Sequence, residues 1–249
     1  MIIKTFFNYE EYSIDLSNAI DLSISINPGK GVNAFYIPQA KFEPIRVGSF
    51  VGSVEEGGSA NCENLFINAH GNGTHTECVG HISKQRISIN SCLKKFHFFA
   101  DLITVQPTAM DEDFIVMADV LGHHKRISET EALILRTLPN SENKLQENYS
   151  GKNPCYLHPD LCKRIREMGY KHLLIDLPSV DREEDGGNLF AHKNFWNYPD
   201  EPQLDMTITE LIYVPDEIED GNYFLQISIA SLETDASPSK PLLYKMKKR

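Results

Sequence analysis

His70-Gly71-Asn72-Gly73-Thr74-His75-Thr76-Glu77-Cys78-Val79-Gly80-His81 is the stretch that decides the fold and the chemistry of this chain, because it holds three histidines, a carboxylate and a thiol in twelve positions. Imidazoles and carboxylates are the ligands that zinc and similar divalent ions use in catalytic sites. In an extended strand alternate side chains share a face, which predicts that His75, Glu77 and His81 point into one cavity. The stretch therefore predicts a metal centre; the alternative is a polar loop whose histidines only form hydrogen bonds.

The charge of the chain limits the partners that it can bind. The 249 residues include 35 acidic and 24 basic side chains, which gives a net charge of -11. Nucleic acids and anionic membranes require clustered Lys and Arg, so we expect neither as a partner. The basic ending, residues 244–249, is short and is predicted to be a solvated tail. The length suits a single α/β domain that spans residues 1–249.

The apolar and cysteine content indicates a cytoplasmic location. No run of eighteen apolar residues occurs, and Glu10 and Glu11 interrupt the N-terminal segment before a signal-peptide core could form. The five cysteines are odd in number and lack the spacing of a disulfide framework, so we expect reduced thiols. Cys78, inside the motif, is predicted to be either a soft metal ligand or a small buried core residue.

Several apolar runs predict the strands of the fold. They cover residues 20–26, 45–51, 96–105, 132–137, 171–177, 206–214 and 223–230, with an edge element at 82–89 and a turn at 237–241. Leu161, Ile165 and Met168 recur at helical spacing, and Gly169 stands where that helix would close. The helix lies between the runs at 132–137 and 171–177, which predicts a strand-helix-strand unit with parallel strands.

Candidate site residues also follow these predicted strands. Residues 178–187 come after a strand end, where active-site residues of parallel sheets belong, and they lead on to His192. Glu210 lies inside an apolar run, where a carboxylate is costly unless it is a metal ligand or a member of an ion pair. The His123-His124 pair is predicted to be solvent exposed. Four aromatic residues are predicted to line either a substrate pocket or a subunit contact: Phe190, Phe195, Trp196 and Tyr198.

Seven segments together carry a resemblance to a known family. They are Asp21-Leu22-Ser23, Gly73-Thr74-His75-x-Glu77-x-x-x-His81, Leu135-Arg136-Thr137, Ile175-Asp176-x-Pro178-Ser179-Val180-Asp181, Ala191-His192, Glu210 and Ala236-Ser237-Pro238. With these segments the chain resembles the putative-cyclase family, which includes bacterial kynurenine formamidase and isatin hydrolase, metal-dependent enzymes that open amide C-N bonds. The resemblance covers most of the chain.

The resemblance implies a fold, a reaction and a set of ligands. The implied fold is a swivelling α/β/β-type single domain with mixed sheets that forms homodimers or homotetramers. The implied site holds zinc or manganese: His75 binds a first ion, Glu77 bridges two ions, His192 and Glu210 hold the second, and His81 is the general base or acid. The implied reaction is arylformamidase-like hydrolysis of a small-molecule amide, with His81 passing a proton to the leaving nitrogen. The alternative is a non-catalytic descendant that binds a small metabolite.

The chain departs from the family motif, His-x-Gly-Thr-His-x-Asp-x-Pro-x-His, at three positions. The first histidine of the motif falls on Gly71, the aspartate on Glu77 and the proline on Val79. We expect His70 to replace the missing imidazole if residues 71–73 bulge. Without that replacement the site would hold one metal tightly and a second weakly or not at all.

Overall fold

The computed structural model describes residues 1–122 and 124–249. The strands are β1 (Ile2–Phe7), β2 (Glu10–Asp15), β3 (Ile20–Asp21), β4 (Lys41–Pro44), β5 (Arg46–Val47), β6 (Phe50–Val51), β7 (Glu63–Phe66), β8 (His75–Cys78), β9 (His97–Val105), β10 (Thr108–Met110), β11 (Asp113–Val116), β12 (Thr130–Thr137), β13 (Tyr156–Leu157), β14 (His172–Ile175), β15 (Thr207–Glu210), β16 (Gly221–Ile229) and β17 (Ala236–Lys248). The α-helices are α1 (Ala69–Asn72), α2 (Ile89–Cys92), α3 (Pro159–Glu167) and α4 (Phe190–Trp196), and short 3-10 helices cover Val79–His81, Ala118–Leu121 and Glu142–Leu145.

Seven of the strands close into a barrel. The order is β17-β16-β9-β12-β14-β15-β8, and β8 pairs with β17 to complete the ring. Strands β9, β12, β14 and β15 are parallel to their neighbours within this group, whereas the pairs on the other side of the barrel are antiparallel. The predicted α/β class with mixed sheets is therefore confirmed. The swivelling arrangement stays a prediction.

The strand-helix-strand unit predicted from the apolar runs is present. Strands β12 and β14 pair in parallel, with Ala132 opposite His172, and α3 connects them. The helix buries Leu161 and Ile165 and is followed by Gly169, whose φ of +90° is a left-handed conformation that glycine adopts without strain. The local periodicity of this part of the sequence was sufficient to predict this strand-helix-strand unit.

The barrel strands bury both of their faces. On β12, Ala132 and Ile134 belong to one apolar cluster, whereas Leu133 and Leu135 belong to another, as the alternation of a strand requires. The first cluster gathers residues from the strands around the ring and fills the barrel interior. The second includes residues of helices α3 and α4, which cover the outer face. The metal-site candidates lie on this helix-covered side, because Glu77 is the cross-strand partner of Ile208 in the second cluster.

The C-terminal segment corrects the sequence prediction. Residues 237–241 are not a turn and residues 244–249 are not a solvated tail, because the chain forms the thirteen-residue strand β17 through Lys248. This strand pairs with β16, β8, β3 and β2, and it buries Leu243 and Tyr244. Pro238 and Pro241, together with the lysine-rich ending, conceal the strand in the sequence, since prolines are rare inside sheets.

Three other predicted elements differ from the structure. Residues 45–51 form the short hairpin β5-β6 rather than one strand, and Gly48 at its turn has a φ of +59°. The predicted strand at 20–26 is reduced to β3, with a further bridge at Ser23. Residues 82–89 contain no strand, and their last residue begins α2. Among the described residues, no helix combines the length and the apolar character needed to cross a membrane.

Candidate metal centre

Neighbouring strands β8 and β15 supply the centre of the site. His75 and Glu210 are direct cross-strand partners, and His75 Nε2 lies 3.3 Å from Glu210 Oε2. Glu77 is two residues after His75 on the same strand and therefore lies on the same face. All three side chains are buried. After Glu210 the chain turns at Leu211, whose φ is +55°.

Helix α4 brings His192 to these strands. His192 Nε2 lies 3.1 Å from Glu77 Oε1 and 4.0 Å from Glu210 Oε1. Asp181 Oδ2 lies 2.6 Å from His192 Nδ1, and the backbone N–H groups of Ala191 and His192 also donate to the Asp181 carboxylate. Asp181 thus fixes the ring at Nδ1 and leaves Nε2 to the site. This carboxylate-histidine arrangement is common around metal-binding histidines.

His70 and His81 complete a group of four imidazoles. His70 Nδ1 lies 3.2 Å from Glu77 Oε2, and His81 Nδ1 lies 3.8 Å from the same oxygen. The two rings are stacked, with centroids 4.3 Å apart. The side chain of Asn68 accepts the His70 backbone N–H and caps the helical turn α1 that carries His70.

His70 enters the site from a helical turn, which corrects our expectation of a bulge. Gly71 is buried, and a Cβ built on it would lie 2.7 Å from Ile37 Cδ1 and 3.1 Å from the Ala34 carbonyl oxygen. A side chain at position 71 would therefore press into Ile37 and Ala34. The preceding residue, His70, places its imidazole 3.2 Å from Glu77 Oε2 instead.

The structure brings all six sequence-predicted site residues together: His70, His75, Glu77, His81, His192 and Glu210. The path of the chain differs from the prediction at one point. Strand β8 ends at Cys78, and Val79–His81 is a 3-10 helix, so His81 reaches the group from a turn rather than from an extended strand. Cys78 Sγ packs in the barrel interior and contacts the Ile87 carbonyl oxygen at 3.6 Å. Of the two alternatives predicted for Cys78, this position is that of a small buried core residue.

Sequence reasoning missed the two carboxylates that contact these imidazoles from outside. Asp181 lies in a segment that the resemblance included, but it received no role. Asp235 was missed entirely: its Oδ2 lies 2.9 Å from His70 Nε2 and 3.3 Å from His81 Nδ1. The only signal for Asp235 in the sequence is its position directly before the Ala236-Ser237-Pro238 segment.

Charge is concentrated in this buried group. Burial lowers the pKa of His70, but the adjacent Asp235 and Glu77 carboxylates outweigh burial and raise the pKa to about 10. The pKa of His192 is likewise raised to about 10, because Asp181 and Glu77 outweigh the opposing effect of burial. Burial raises the pKa of Glu77, yet the charges of His81, His192 and His70 hold it well below its ordinary value. The carboxylates of Asp235, Glu77 and Asp181 thus favour positive charge in this group.

The donor atoms fit a metal ion. His75 Nε2 and Glu77 Oε2 are buried and make no hydrogen bond to any described residue, although His70 and Glu210 are near them. Within the described chain, three groups have ligand atoms close enough to share an ion: His70, His75 and Glu77; Glu77, His81 and His192; and His70, His81 and Asp235. Buried polar atoms without partners are costly, and a cation removes that cost. The donors are nitrogens and oxygens.

A cavity of about 330 Å³ opens onto the group. His70, His81, His192 and Glu210 line it on one side, and Phe35, Ile37 and Leu189 contribute apolar surface. The four aromatic residues do not form the predicted pocket. Phe195 and Trp196 lie on α4 and are buried in the core, Phe190 is exposed, and Tyr198 packs against the core cluster.

The His123-His124 pair is predicted from the sequence to be solvent exposed. His123 is outside the described residues. His124 is half-buried, and its Nε2 lies 2.8 Å from the Tyr170 hydroxyl and 3.3 Å from Asp101 Oδ2. His124 therefore belongs to a polar network away from the candidate metal centre.

Comparison with known proteins gives one family match and several similar folds. The family model described as putative cyclase matches residues 20–182. No curated protein matches the chain. An isatin hydrolase bound to the product analogue thioisatinate is 15% identical, with a TM-score of 0.69 over 92% of this chain and 93% of its own.

Two further solved structures are similar over comparable lengths. A predicted metal-dependent hydrolase from Bacillus stearothermophilus is 18% identical, with a TM-score of 0.63 over 91% of this chain and 98% of its own. Isatin hydrolase A from Ralstonia solanacearum is 14% identical, with a TM-score of 0.65 over 91% of each chain. At these identities the similarity shows a common fold.

Proposed function

Because the chain belongs to the putative cyclase family, and because its fold gathers four imidazoles and two carboxylates into one group beside a cavity, we propose that it is a metal-dependent hydrolase. The proposed reaction is the opening of an amide C-N bond in a small molecule, as in arylformamidases. Isatin hydrolases share this fold, and their name describes hydrolysis of a cyclic amide.

The single observation that carries the proposal is the pair of unpartnered buried ligand atoms, His75 Nε2 and Glu77 Oε2. A purely structural cluster would satisfy these atoms with hydrogen bonds, since orphaned buried groups cost about 1–3 kcal/mol each. His70, His75 and Glu77 would hold one ion. Glu77, His192 and Glu210 would hold a second. Nitrogen and oxygen donors without a thiolate suit zinc or manganese.

A divalent ion bound by these residues would polarise a carbonyl group as a Lewis acid and would lower the pKa of water, so that water can lose a proton at neutral pH. Asp181 holds His192 in the orientation that presents Nε2 to Glu77. His75 is fixed at Nδ1, which lies 3.1 Å from the Gly73 carbonyl oxygen. The protein thus holds its ligand atoms in place before any ion is bound.

His81 is the proposed proton shuttle. It is more exposed than the other histidines of the site and borders the cavity. Its Nδ1 faces Glu77 and Asp235, and no described residue forms a hydrogen bond with its Nε2. In the proposed reaction Nε2 takes a proton from the attacking water and delivers it to the leaving nitrogen.

The cavity limits the size of the substrate. A volume of about 330 Å³ is at the lower end of the range for small-molecule sites. Phe35, Ile37 and Leu189 offer apolar contacts to one face of a ring-sized molecule. We therefore propose a small aryl amide or cyclic amide as the substrate class.

The test is hydrolysis by metal-free and reconstituted protein. The purified chain is stripped of metal, reloaded with Zn²⁺ or Mn²⁺, and assayed with an aryl formamide, an isatin-type cyclic amide and a lactone. We expect hydrolysis of at least one amide by reloaded protein only. Metal-independent hydrolysis, or metal binding without turnover of any amide, would contradict the proposal.

The alternative is a non-catalytic protein that binds a small metabolite, and Gly71 is the observation that favours it. The family motif has a histidine at this position, and loss of a ligand is a common route to an inactive site. His70 lies 3.2 Å from Glu77 Oε2, and this position supports the proposal that its imidazole replaces the missing one. Binding of a substrate amide without turnover in fully metal-loaded protein would support the alternative.

Two further parts of the proposal concern assembly and location. We propose a homodimer or homotetramer, supported by Leu65 and Phe66 of β7, whose exposed fractions are 59% and 55%. Light scattering of the purified chain tests this, and a monomer would contradict it. The cytoplasmic location stays a prediction from the sequence.

A further inference from the structure

A single carboxylate oxygen joins the two outer histidines of the site. Asp235 Oδ2 lies 2.9 Å from His70 Nε2 and 3.3 Å from His81 Nδ1. The two imidazole rings stack on each other with centroids 4.3 Å apart. Asp235 therefore contacts both rings of the stacked pair from outside the group that surrounds Glu77.

The backbone of Asp235 is fixed against the motif. The next residue, Ala236, pairs with Glu77 across β17 and β8, and the Cys78 N–H donates to the Asp235 carbonyl oxygen at 3.0 Å. Gly80 permits this approach, since a Cβ there would lie 3.2 Å from Asp235 Cβ and 2.1 Å from the Ile87 carbonyl oxygen. Strand pairing thus holds the Asp235 backbone at a place from which its carboxylate contacts both histidines.

The two nitrogens of His70 face two different carboxylates. Nε2 contacts Asp235, whereas Nδ1 lies 3.2 Å from Glu77 Oε2, the buried atom without a hydrogen bond. An imidazole that donates one N–H to a carboxylate presents the other nitrogen as a ligand, in a fixed tautomer and orientation. His70 needs this support because it lies on the four-residue helical turn α1.

We propose that Asp235 is a positioning residue of the metal centre: by accepting a hydrogen bond from His70 Nε2, it aims His70 Nδ1 at the ion. This inference rests on the proposed metal-dependent function. It assigns Asp235 no coordinating bond.

The test is a titration of metal-free protein with Co²⁺, followed by calorimetry and by the visible absorption of bound Co²⁺. Asp235→Asn keeps the size of the side chain and removes its charge. We expect the affinity for Co²⁺ to fall by about 10–100-fold, with the number of bound ions unchanged and the Co²⁺ spectrum altered. The double variant His70→Ala/Asp235→Asn should bind no more weakly than His70→Ala alone, because Asp235 acts through His70.

The matched control is Glu233→Gln, on the same loop, whose carboxylate accepts from Asn90 rather than from a histidine. It should bind Co²⁺ as the parent does, and thermal unfolding should show that both variants are folded. If Asp235→Asn bound one Co²⁺ ion fewer per chain than the parent, Asp235 would be a direct ligand, and the inference would be overturned. Unchanged affinity and spectrum in Asp235→Asn would overturn it while leaving the proposed function intact. A parent that binds no Co²⁺ would contradict both.

Discussion

Glu77 and His192 lie 115 positions apart in the sequence, yet Glu77 Oε1 is 3.1 Å from His192 Nε2. The other oxygen of the same carboxylate, Oε2, is 3.2 Å from His70 Nδ1. Glu77 therefore stands between His70, which α1 carries, and His192, which α4 carries. This position supports the proposal that Glu77 is shared between two ions.

We expect Glu77→Gln to lose both metal equivalents and Glu210→Gln to lose only one. The reason is that Glu77 belongs to both proposed ion sites, because it contacts His70 as well as His192, whereas Glu210 belongs only to the proposed site that contains His192. Metal content measured after dialysis of each purified variant checks the difference. If the two variants lost the same number of metal ions, Glu77 would not be shared between two ions.

We expect Asp181→Asn to weaken metal binding by about 10–100-fold while the number of bound ions stays the same. Asp181 Oδ2 lies 2.6 Å from His192 Nδ1, so it fixes the ring at the nitrogen that does not contact Glu77. Calorimetric titration with Zn²⁺ measures the change. Asp200→Asn, at an exposed aspartate beyond α4, is the control and should bind as the parent does. If Asp181→Asn bound Zn²⁺ as tightly as the parent does, Asp181 would contribute to folding and not to metal binding.

The sequence was sufficient for those parts of the fold that depend on local periodicity. The β12-α3-β14 unit follows from apolar spacing and from Gly169. Strand β17 could not be predicted in this way, because its pairing with β2 and β8 is set by distant segments and because Pro238 and Pro241 obscure the strand pattern.

The candidate site shows the same division. His75 and Glu77 could be predicted because strand alternation places them on one face. Asp235 could not, because its partner His70 lies 165 positions away and a lone aspartate in a loop carries no local pattern. The entry of His70 from a helical turn depends on the packing of Gly71 against Ile37, which the sequence does not reveal.

We expect His81→Ala to lower turnover by about 10²–10⁴-fold while the metal content stays close to that of the parent. The variant removes a proton carrier at the cavity rim and leaves Glu77, His75 and His192 in place. Steady-state kinetics and metal analysis on the same preparation check both parts. His97→Ala, at an exposed histidine on β9, is the control. Should metal content fall together with activity, His81 would be a ligand.

We expect His70→Ala to lose one metal equivalent and Gly71→His to fail to tighten binding. A Cβ at position 71 would meet Ile37 at 2.7 Å and the Ala34 carbonyl oxygen at 3.1 Å, so the added imidazole must displace these neighbours at a site where His70 already lies beside Glu77. Gly71→Ala separates the steric effect from the ligand effect. Calorimetric titration of the three variants measures both, and tighter binding by Gly71→His would show that position 71 can reach the ion.

A buried histidine far from the metal centre predicts loss of stability in acid. His172 begins β14 and is buried against Phe98, with ring centroids 4.0 Å apart, and its Nδ1 lies 2.9 Å from the Thr207 hydroxyl oxygen. Burial lowers the pKa of His172 to about 3, although the Asp205 carboxylate partly offsets burial. The folded protein therefore keeps this imidazole neutral at a pH where the unfolded chain is already protonated.

The sign of the effect follows from this difference. The imidazole of His172 binds a proton below a pH of about 6.5 in the unfolded state and only near pH 3 in the folded state. Above pH 6.5 this residue therefore does not change the free energy of unfolding. Between these two values the free energy of unfolding falls by about 1.4 kcal/mol for each unit by which the pH decreases. We expect His172→Asn to remove this dependence, so that between pH 7 and pH 5 the variant loses about 2 kcal/mol less stability than the parent. Urea unfolding of metal-free protein at both pH values measures the difference, and His97→Asn, at an exposed histidine, should retain the dependence of the parent. Parallel losses in the parent and His172→Asn would show that His172 is protonated in the folded state.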